Sequence, residues 1–152
     1  QEWARSKVIA PTDAADKHVG HIDHNSYNKD NETNWLNFEH ADWNADLVDY
    51  YKGLIELRKA HPAFRRASKS DFTFYQDRNN PFALAFKIDK SGSNDSVDFV
   101  VLNGNREKES EFELPPGDWH VVVDGESAGT QILRTLNGVV KAPPSTGLVL
   151  QQ

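Results

Sequence analysis

The chain has 152 residues, a formal net charge of −6 and no cysteine, and 38% of its residues are hydrophobic. The acidic balance argues against a nucleic-acid partner, because phosphate binding needs a clustered basic surface. No apolar run approaches the roughly 18 residues of a membrane-spanning helix, so no membrane partner is expected. Without cysteine, disulfides and thiolate metal sites are excluded. The composition is that of a globular protein with room for one domain and a core.

The first part of the chain, residues 8–43, has no sustained hydrophobic period and is rich in Asp, Asn and His. This pattern predicts a loop of about 35 residues, and loops of that length are usually functional or disordered. Trp35, Phe38 and Trp43 lie along its second half. We expect these aromatic side chains to pack on a body larger than the loop itself.

Residues 44–64 predict one amphipathic helix. Pro62 disfavours helical geometry at His61, so the helix should end near Ala60. One stripe at helical spacing carries the side chains that we expect to pack on a larger body: Leu47, Val48, Tyr51, Leu54, Ile55 and Arg58.

After residue 64 the hydrophobic period changes from 3.6 to 2, which predicts strands. The polar segment 89–95 suits a hairpin turn, and Asn137-Gly138 suits a two-residue type I′ hairpin. Seven or eight short strands without intervening helices predict a mainly β fold, an antiparallel β-sandwich preceded by a long loop and one helix. The predicted strands are 71–75, 82–88, 96–102, 111–114, 119–123, 131–136, 139–142 and 147–150.

Residues 125–129, Gly-Glu-Ser-Ala-Gly, match the G-x-S-x-G nucleophile elbow and follow a predicted strand. A working elbow also needs a helix after the serine, and an acid and a histidine later in the chain. No Asp, Glu or His follows Ser127. We therefore interpret this segment as a loop.

His18, His21, Asp23 and His24 lie within seven residues, and clustered imidazoles can bind transition metals. The segment lacks the i, i+4 placement that fixes two ligands on one helix face, so a solvated loop is the favoured interpretation. No metal and no other cofactor is predicted there.

Calcium is the cofactor alternative that stays open. The segment that begins at Asp23 starts like an EF-hand loop but has Asn28 and Asn34 where that motif needs glycine and glutamate. A calcium site of another kind could use Asp30 or Glu32.

Paired carboxylates are the catalytic groups of glycosidases. The chain has 23 acidic residues, but no spacing among them singles out an acid and a nucleophile. Glu2 and Asp23 could face a cleft, although a solvated loop is the simpler interpretation of each.

Several segments carry a resemblance to a known family. The most specific is residues 51–65, Tyr-Lys-Gly-Leu-Ile-Glu-Leu-Arg-Lys-Ala-His-Pro-Ala-Phe-Arg. This segment resembles type I pullulanases, the α-1,6-cleaving debranching enzymes of the α-amylase superfamily. The same resemblance is carried by residues 1–7, 24–28, 34–38, 48–50, 99–105, 114–119, 123–125 and 140–150. The resemblance covers essentially the whole chain.

The resemblance implies a division of the chain. Residues 1–62 would be the last loop and helix of a (β/α)8 catalytic barrel, and residues 63–152 a C-terminal β-sandwich packed behind it. Because active sites of such barrels lie on the βα loops, we expect substrate contacts from Arg5, Asp23, Asn25 and Tyr27. The alternative is that Arg5 and Asn25 only brace the loop and that Tyr27 anchors it by packing.

The family's nucleophilic Asp, acid Glu and third Asp belong to earlier barrel strands, and none of those motifs is present, so no catalytic residue is assigned. The resemblance implies a fragment of a debranching glycoside hydrolase that is not catalytic alone. Its implied partners are α-glucans such as pullulan and branched maltooligosaccharides, and the missing N-terminal part of the barrel. The alternative is a non-catalytic carbohydrate-binding or interaction module, with Trp119 or Tyr75 stacking on sugar from an exposed sheet face.

Overall fold

A computed structural model of the chain describes residues 3–4, 6–13, 15–89 and 96–152. The chain divides into two compact units, residues 1–49 and residues 50–152. No helix in these described ranges is both long and apolar enough to cross a membrane. The helices are α1 (Glu39–Trp43), α2 (Ala45–Ala60), α3 (Ala63–Arg66) and a 3₁₀ turn (Lys69–Asp71), and the strands are β1 (Phe72–Gln76), β2 (Ala83–Ile88), β3 (Asp98–Asn103), β4 (Ser110–Glu113), β5 (Trp119–Val123), β6 (Arg134–Leu136), β7 (Val139–Ala142) and β8 (Thr146–Gln151).

The eight strands of the described residues form two antiparallel sheets, which confirms the predicted mainly β sandwich. The larger sheet has the order β1-β2-β3-β8-β5-β6, and β4 pairs with β7 in the smaller one. One apolar core takes side chains from both sheets, because Phe112 and Val140 of the small sheet pack with Phe99, Trp119 and Leu150 of the large one. Those five side chains are all at most 5% exposed.

The two predicted hairpins have different outcomes. Strands β2 and β3 pair antiparallel from Ile88↔Asp98 to Ala83↔Asn103, as predicted; residues 90–95 of the predicted turn lie outside the described residues. The predicted hairpin at Asn137-Gly138 is wrong, because β6 pairs with β5 whereas β7 pairs with β4. Gly138 has a φ of 74°, a conformation that glycine adopts without strain, and the turn there carries the chain from one sheet to the other.

The long helix ends at Ala60, as predicted, and its buried residues are Gly53 and Leu57. Tyr51 and Ile55 of the predicted stripe are 39% and 51% exposed. Leu57 is buried, and Leu54 packs beside it against Val122 and Val149 of the sheet. Leu54 of the predicted stripe thus packs on the sheet together with Leu57, whereas Tyr51 and Ile55 stay exposed.

Gly53 allows α2 to approach the loop after β5. A Cβ atom built at this position would lie 1.9 Å from the carbonyl oxygen of Ala128, far inside van der Waals contact. On the same side of the helix, the Tyr50 hydroxyl donates a 2.7 Å hydrogen bond to the carbonyl of Asp124. The missing side chain at Gly53 therefore sets the depth at which the helix packs.

The replacement Gly53→Ala should destabilise the protein. In an open helix this change adds about 1 kcal/mol of stability, but here the added methyl group meets backbone that cannot rotate away. We expect a net loss of about 1–3 kcal/mol, as for other overpacked sites, measured by urea unfolding. The matched control is Gly129→Ala, where no atom lies within 4 Å of the added Cβ; equal stability of the two variants would contradict the close approach.

Buried asparagines join the end of the large sheet to the small one. The amide of Asn103 donates to the carbonyls of Lys108, Ala142 and Pro143 at 2.8, 3.0 and 3.0 Å. Its oxygen accepts from the Asn80 amide at 3.1 Å. Asn103 and Asn80 are 3% and 1% exposed, so these bonds satisfy polar groups that water does not reach.

Replacing Asn103 by leucine, which has a similar volume, should cost about 2–3 kcal/mol, because buried carbonyls then lose their donor. Thermal and urea unfolding measure the loss. The exposed Asn79 provides the control, since Asn79→Leu should change stability by less than about 0.5 kcal/mol. A neutral Asn103→Leu variant would show that the network does not hold the sheets together.

Candidate functional site

The segment that contains the predicted contact residues is folded by backbone hydrogen bonds. The N–H of Ile9 donates to the carbonyl of His21 at 2.9 Å, and the N–H of Asp23 donates to the carbonyl of Lys7 at 2.8 Å. Val8 and Ile22 form an isolated antiparallel bridge between these bonds. The segments around Val8 and Ile22 thus pair with each other, although neither shows a hydrophobic period, and they hold Asp23 at a fixed place in the loop.

Buried polar side chains hold the far end of the loop. Thr33 is 2% exposed, and its hydroxyl oxygen accepts a 3.1 Å hydrogen bond from the N–H of Ala10. The hydroxyl of Ser26, which is 3% exposed, donates to the side-chain oxygen of Asn34 at 2.8 Å. The Asn34 amide in turn donates to the carbonyls of Ser26 and Lys29, so residues 26–29 are closed into a turn.

The ammonium group of Lys29 lies among three carboxylates. Its Nζ atom is 2.9 Å from Asp13, 3.1 Å from Asp16 and 3.0 Å from Asp23. The Lys29 side chain is 19% exposed and that of Asp23 only 8%. The three aspartates lie 6 to 16 positions before Lys29 in the sequence.

The charges of this cluster stabilise one another. Hydrogen bonds that the Lys29 ammonium donates to Asp13 and Asp23 raise the pKa of Lys29 above its ordinary value. Hydrogen bonds from Lys29 and then Asn31 lower the pKa of Asp13. The backbone N–H of His18, followed by Lys29, lowers the pKa of Asp16. All three groups therefore favour their charged forms over a wide pH range.

Asp23 is bound on both of its carboxylate oxygens. Oδ1 accepts a 2.8 Å hydrogen bond from the N–H of Asn25, and Oδ2 faces Lys29. The Asn25 hydrogen bond is the larger cause of the lowered pKa of Asp23, and Lys29 is the next. The carboxylate thus makes internal bonds and has little surface left for a ligand.

The other predicted contact residues differ in their exposure. Asn25 is exposed, and Tyr27 is 83% exposed; both follow Asp23 in the same turn. Arg5 lies outside the described residues, as does Glu2. Sequence reasoning missed Lys29, and the signal that could have found it is that Lys29 and Lys17 are the two lysines of the acidic segment 8–43.

Within the part of the chain that the structure describes, no group of three or more His, Cys, Asp or Glu residues is placed to hold a metal ion. The rings of His18 and His21 are edge to face, with centroids 6.2 Å apart. The Glu32 carboxylate accepts a hydrogen bond from the Thr12 hydroxyl. The space between the three aspartates is taken by the Lys29 ammonium.

The unit of residues 1–49 exposes several large aromatic side chains. Trp35, Phe38 and Trp43 are 64%, 67% and 70% exposed. Contacts inside the unit cover only part of them: Trp3 lies 5.6 Å from Phe38 between ring centroids, and His40 lies 4.9 Å from Trp43. These are the aromatics that the sequence predicts to pack on a larger body.

The sheet residues proposed to stack on sugar are wrong candidates. Trp119 is 0% exposed, and its indole N–H donates to the carbonyl of Pro115 at 2.9 Å. Tyr75 is half-buried against Phe99, with centroids 5.3 Å apart. Both side chains belong to the sandwich core, because the alternation along β1 and β5 turns them inward.

The segment around Ser127 is an irregular loop, as the sequence predicts. The Asp124 carboxylate accepts from the N–H groups of Glu126 and Ser127, both at 3.0 Å. Val123 and Ala128 form a bridge across it, and the next regular element is strand β6. The strand–turn–helix context of a nucleophile elbow is therefore not present here.

Comparisons with known proteins agree with this architecture. Residues 69–127 match the family described as "Pullulanase, all-beta domain". An isoamylase from Flavobacterium sp. is 32% identical in a match that covers 60% of this chain and 15% of the isoamylase.

Two solved structures are similar over most of the chain. Pullulanase from Bacillus acidopullulyticus matches with 28% identity and a TM-score of 0.77, covering 99% of this chain and 17% of that one. Pullulanase from Anoxybacillus sp. LM18-11, complexed with maltotetraose, matches with 26% identity and a TM-score of 0.70, covering 88% and 19%.

By its fold and by these matches, the chain is similar to proteins described as pullulanases and an isoamylase. Its sandwich is pullulanase-like and resembles the all-beta domain of that family. The chain spans between 15% and 19% of the length of these three relatives.

The Asp23 carboxyl should titrate below 3.8, its ordinary pKa, when followed by carbon-13 NMR. Because the folded state lowers this pKa, the stabilisation is complete above 3.8 and is lost as the pH falls through the lower folded value. Lys29→Met should raise the midpoint only in part, since the Asn25 N–H remains. Lys17→Met, at an exposed lysine of the same unit, should leave it unchanged. A midpoint at or above 3.8 in the unaltered chain would contradict the geometry.

Proposed function

We propose that this chain is part of an α-1,6-glucan debranching glycoside hydrolase of the pullulanase type and is not catalytic on its own. Residues 1–62 are assigned to the last loop and helix of a (β/α)8 catalytic barrel, and residues 63–152 to a sandwich that supports it. Pullulan and branched maltooligosaccharides are the proposed substrates of the whole enzyme.

The observation that carries this proposal is the exposure of aromatic side chains in the first unit. Trp35, Phe38 and Trp43 are each about two-thirds exposed, although full burial of such a side chain contributes roughly 1.5–3 kcal/mol. Large exposed apolar patches on soluble proteins mark interaction sites. A further part of the barrel is the partner whose packing would bury them.

The second unit also has apolar surface left for a partner. Phe74 is 62% exposed, and its ring lies 6.0 Å from Phe72 and 5.9 Å from Phe86 between centroids. Beside Phe86, a groove of about 270 Å³ is lined by Leu54, Leu57, Arg58, Phe64, Val100 and Val149. A sandwich that supports a barrel needs such a surface.

The electrostatics of the loop support a non-catalytic role for its carboxylates. A glycosidase general acid must hold a proton near neutral pH, which requires a raised pKa. Asp13, Asp16 and Asp23 all have lowered pKa values because they are bonded to Lys29 and to backbone N–H groups or the Asn31 side chain. These groups stay ionised, so the acid of the reaction has to come from elsewhere.

Substrate contact is assigned to the exposed turn. The Tyr27 ring offers an apolar face on which a glucose unit can stack, and the Asn25 side chain offers an amide donor and acceptor for sugar hydroxyls. Arg5 is retained as a third proposed contact. One of the similar structures is a pullulanase complexed with maltotetraose, which supports an α-glucan as the ligand class.

The 152-residue chain alone should release no reducing ends from pullulan above the blank. Hydrolysis with retention needs two carboxyl groups about 5–5.5 Å apart, one of them protonated, and the chain has no assigned pair. An intact type I pullulanase at the same molar concentration is the control. Measurable turnover by the chain alone, abolished by boiling, would contradict the proposal.

A further inference from the structure

We propose that Lys29 is a positioning residue for glucan recognition and that Asp23 acts through it rather than on the sugar. The ammonium group draws Asp13, Asp16 and Asp23 together and thereby holds the turn of residues 23–27 with Asn25 and Tyr27 facing outward. This role rests on the proposed function, because it concerns the turn to which substrate contact is assigned.

The first step is the geometry around the ammonium. A lysine side chain has three N–H donors, and the three carboxylates of this cluster lie 2.9, 3.1 and 3.0 Å from Nζ. Every donor therefore has a carboxylate within reach. Two of these partners, Asp13 and Asp16, lie in an early turn of the loop, whereas Asp23 directly precedes the exposed residues, so the lysine ties one segment to the other.

The second step is the connection from Asp23 to the turn. While Oδ2 faces Lys29, Oδ1 accepts the N–H of Asn25, which makes an Asx-type turn. Since the Asp23 side chain is only 8% exposed, its carboxylate interacts with groups of the loop itself. The position of the Asn25 backbone therefore depends on where Lys29 holds the Asp23 carboxylate.

The third step is the anchor on the other side of Tyr27. The N–H of Lys29 donates to the carbonyl of Ser26 at 3.1 Å, and the Asn34 amide donates to carbonyls of both residues. Lys29 thus takes part in both anchors, through its backbone on one side and its ammonium on the other. Tyr27 lies between them and is 83% exposed.

The ion pairs around Lys29 serve to position the loop rather than to stabilise the fold. Ion pairs removed from water contribute little net stability, because desolvation offsets the attraction between the charges. They do fix which groups lie next to each other, since a misplaced charge would lose all its partners. A loop that presents two exposed side chains to a ligand benefits from that restriction.

The test compares the full 152-residue chain with Lys29→Met, Lys29→Arg and the control Lys17→Met, which removes an exposed lysine of the same unit. One readout is amide hydrogen exchange at residues 20–29, which reports loop closure without any ligand. The other is NMR titration with maltotetraose, followed at the Asn25 side-chain amide and the Tyr27 ring.

In Lys29→Met we expect about tenfold faster exchange in the turn and about tenfold weaker maltotetraose binding, the size of effect that a lost charge-assisted network produces. Lys29→Arg should restore most of both, because it keeps the charge, and Lys17→Met should match the unaltered chain. Unchanged hydrogen exchange in Lys29→Met overturns the positioning role, whatever the effect of the variant on maltotetraose binding. Normal loop exchange without any maltotetraose response in the unaltered chain overturns the proposed glucan contact instead, and the positioning role with it.

A further variant separates positioning from direct contact. Asp23→Asn should weaken maltotetraose binding about as much as Lys29→Met, and the double variant should be no weaker than either, because both changes release the same turn. If the double variant binds maltotetraose clearly more weakly than Lys29→Met does, Asp23 touches the sugar. That result would overturn the role assigned here to Asp23.

Discussion

The close approach of α2 to the loop after β5 decides how the second unit is built. With no side chain at Gly53, the helix backbone comes within contact of Ala128, and Leu54 and Leu57 reach the sheet. The same contact decides which apolar residues of the helix stay uncovered. Tyr51 and Ile55 remain exposed. The glycine therefore marks the helix face that packs on the sandwich, and the face with the exposed residues is left for another partner.

The positions of the strands could be predicted from the sequence, but their partners could not. Alternation along the chain indicates where a strand lies because it depends only on local residues, and all eight predicted strands are found within a few positions. Pairing depends on contacts between distant segments. The turn at Asn137-Gly138 was correctly predicted as a turn, yet it joins strands of different sheets, since a glycine with positive φ suits either connection. The prediction that Trp119 lies on an exposed sheet face is wrong for a related reason. The size of an aromatic ring does not indicate which side of the sheet faces the core.

The candidate site shows the same limit in a loop. Asp23, Asn25 and Tyr27 were reached through the resemblance to a family, and the exposure of Asn25 and Tyr27 is compatible with ligand contact. Lys29 was not predicted, because its three ion pairs join residues of an irregular segment that leaves no periodic signal. Local sequence could suggest the turn chemistry of Asp23, but only the folded loop brings a single ammonium group to three carboxylates.

The lowered pKa values of the loop bear on the non-catalytic role proposed for its carboxylates. A carboxyl group that donates a proton in catalysis has to lie where its charged form is disfavoured, by burial or by a neighbouring carboxylate. Desolvation raises the pKa of each of Asp13, Asp16 and Asp23, and the Asp16 carboxylate adds a repulsion at Asp13, but Lys29 and the backbone or side-chain donors around them outweigh these effects. These three carboxylates therefore stay ionised near neutral pH. Ionised carboxylates held by internal hydrogen bonds suit the proposed role of shaping a loop that contacts a neutral glucan, whereas proton transfer requires a carboxyl group with a raised pKa.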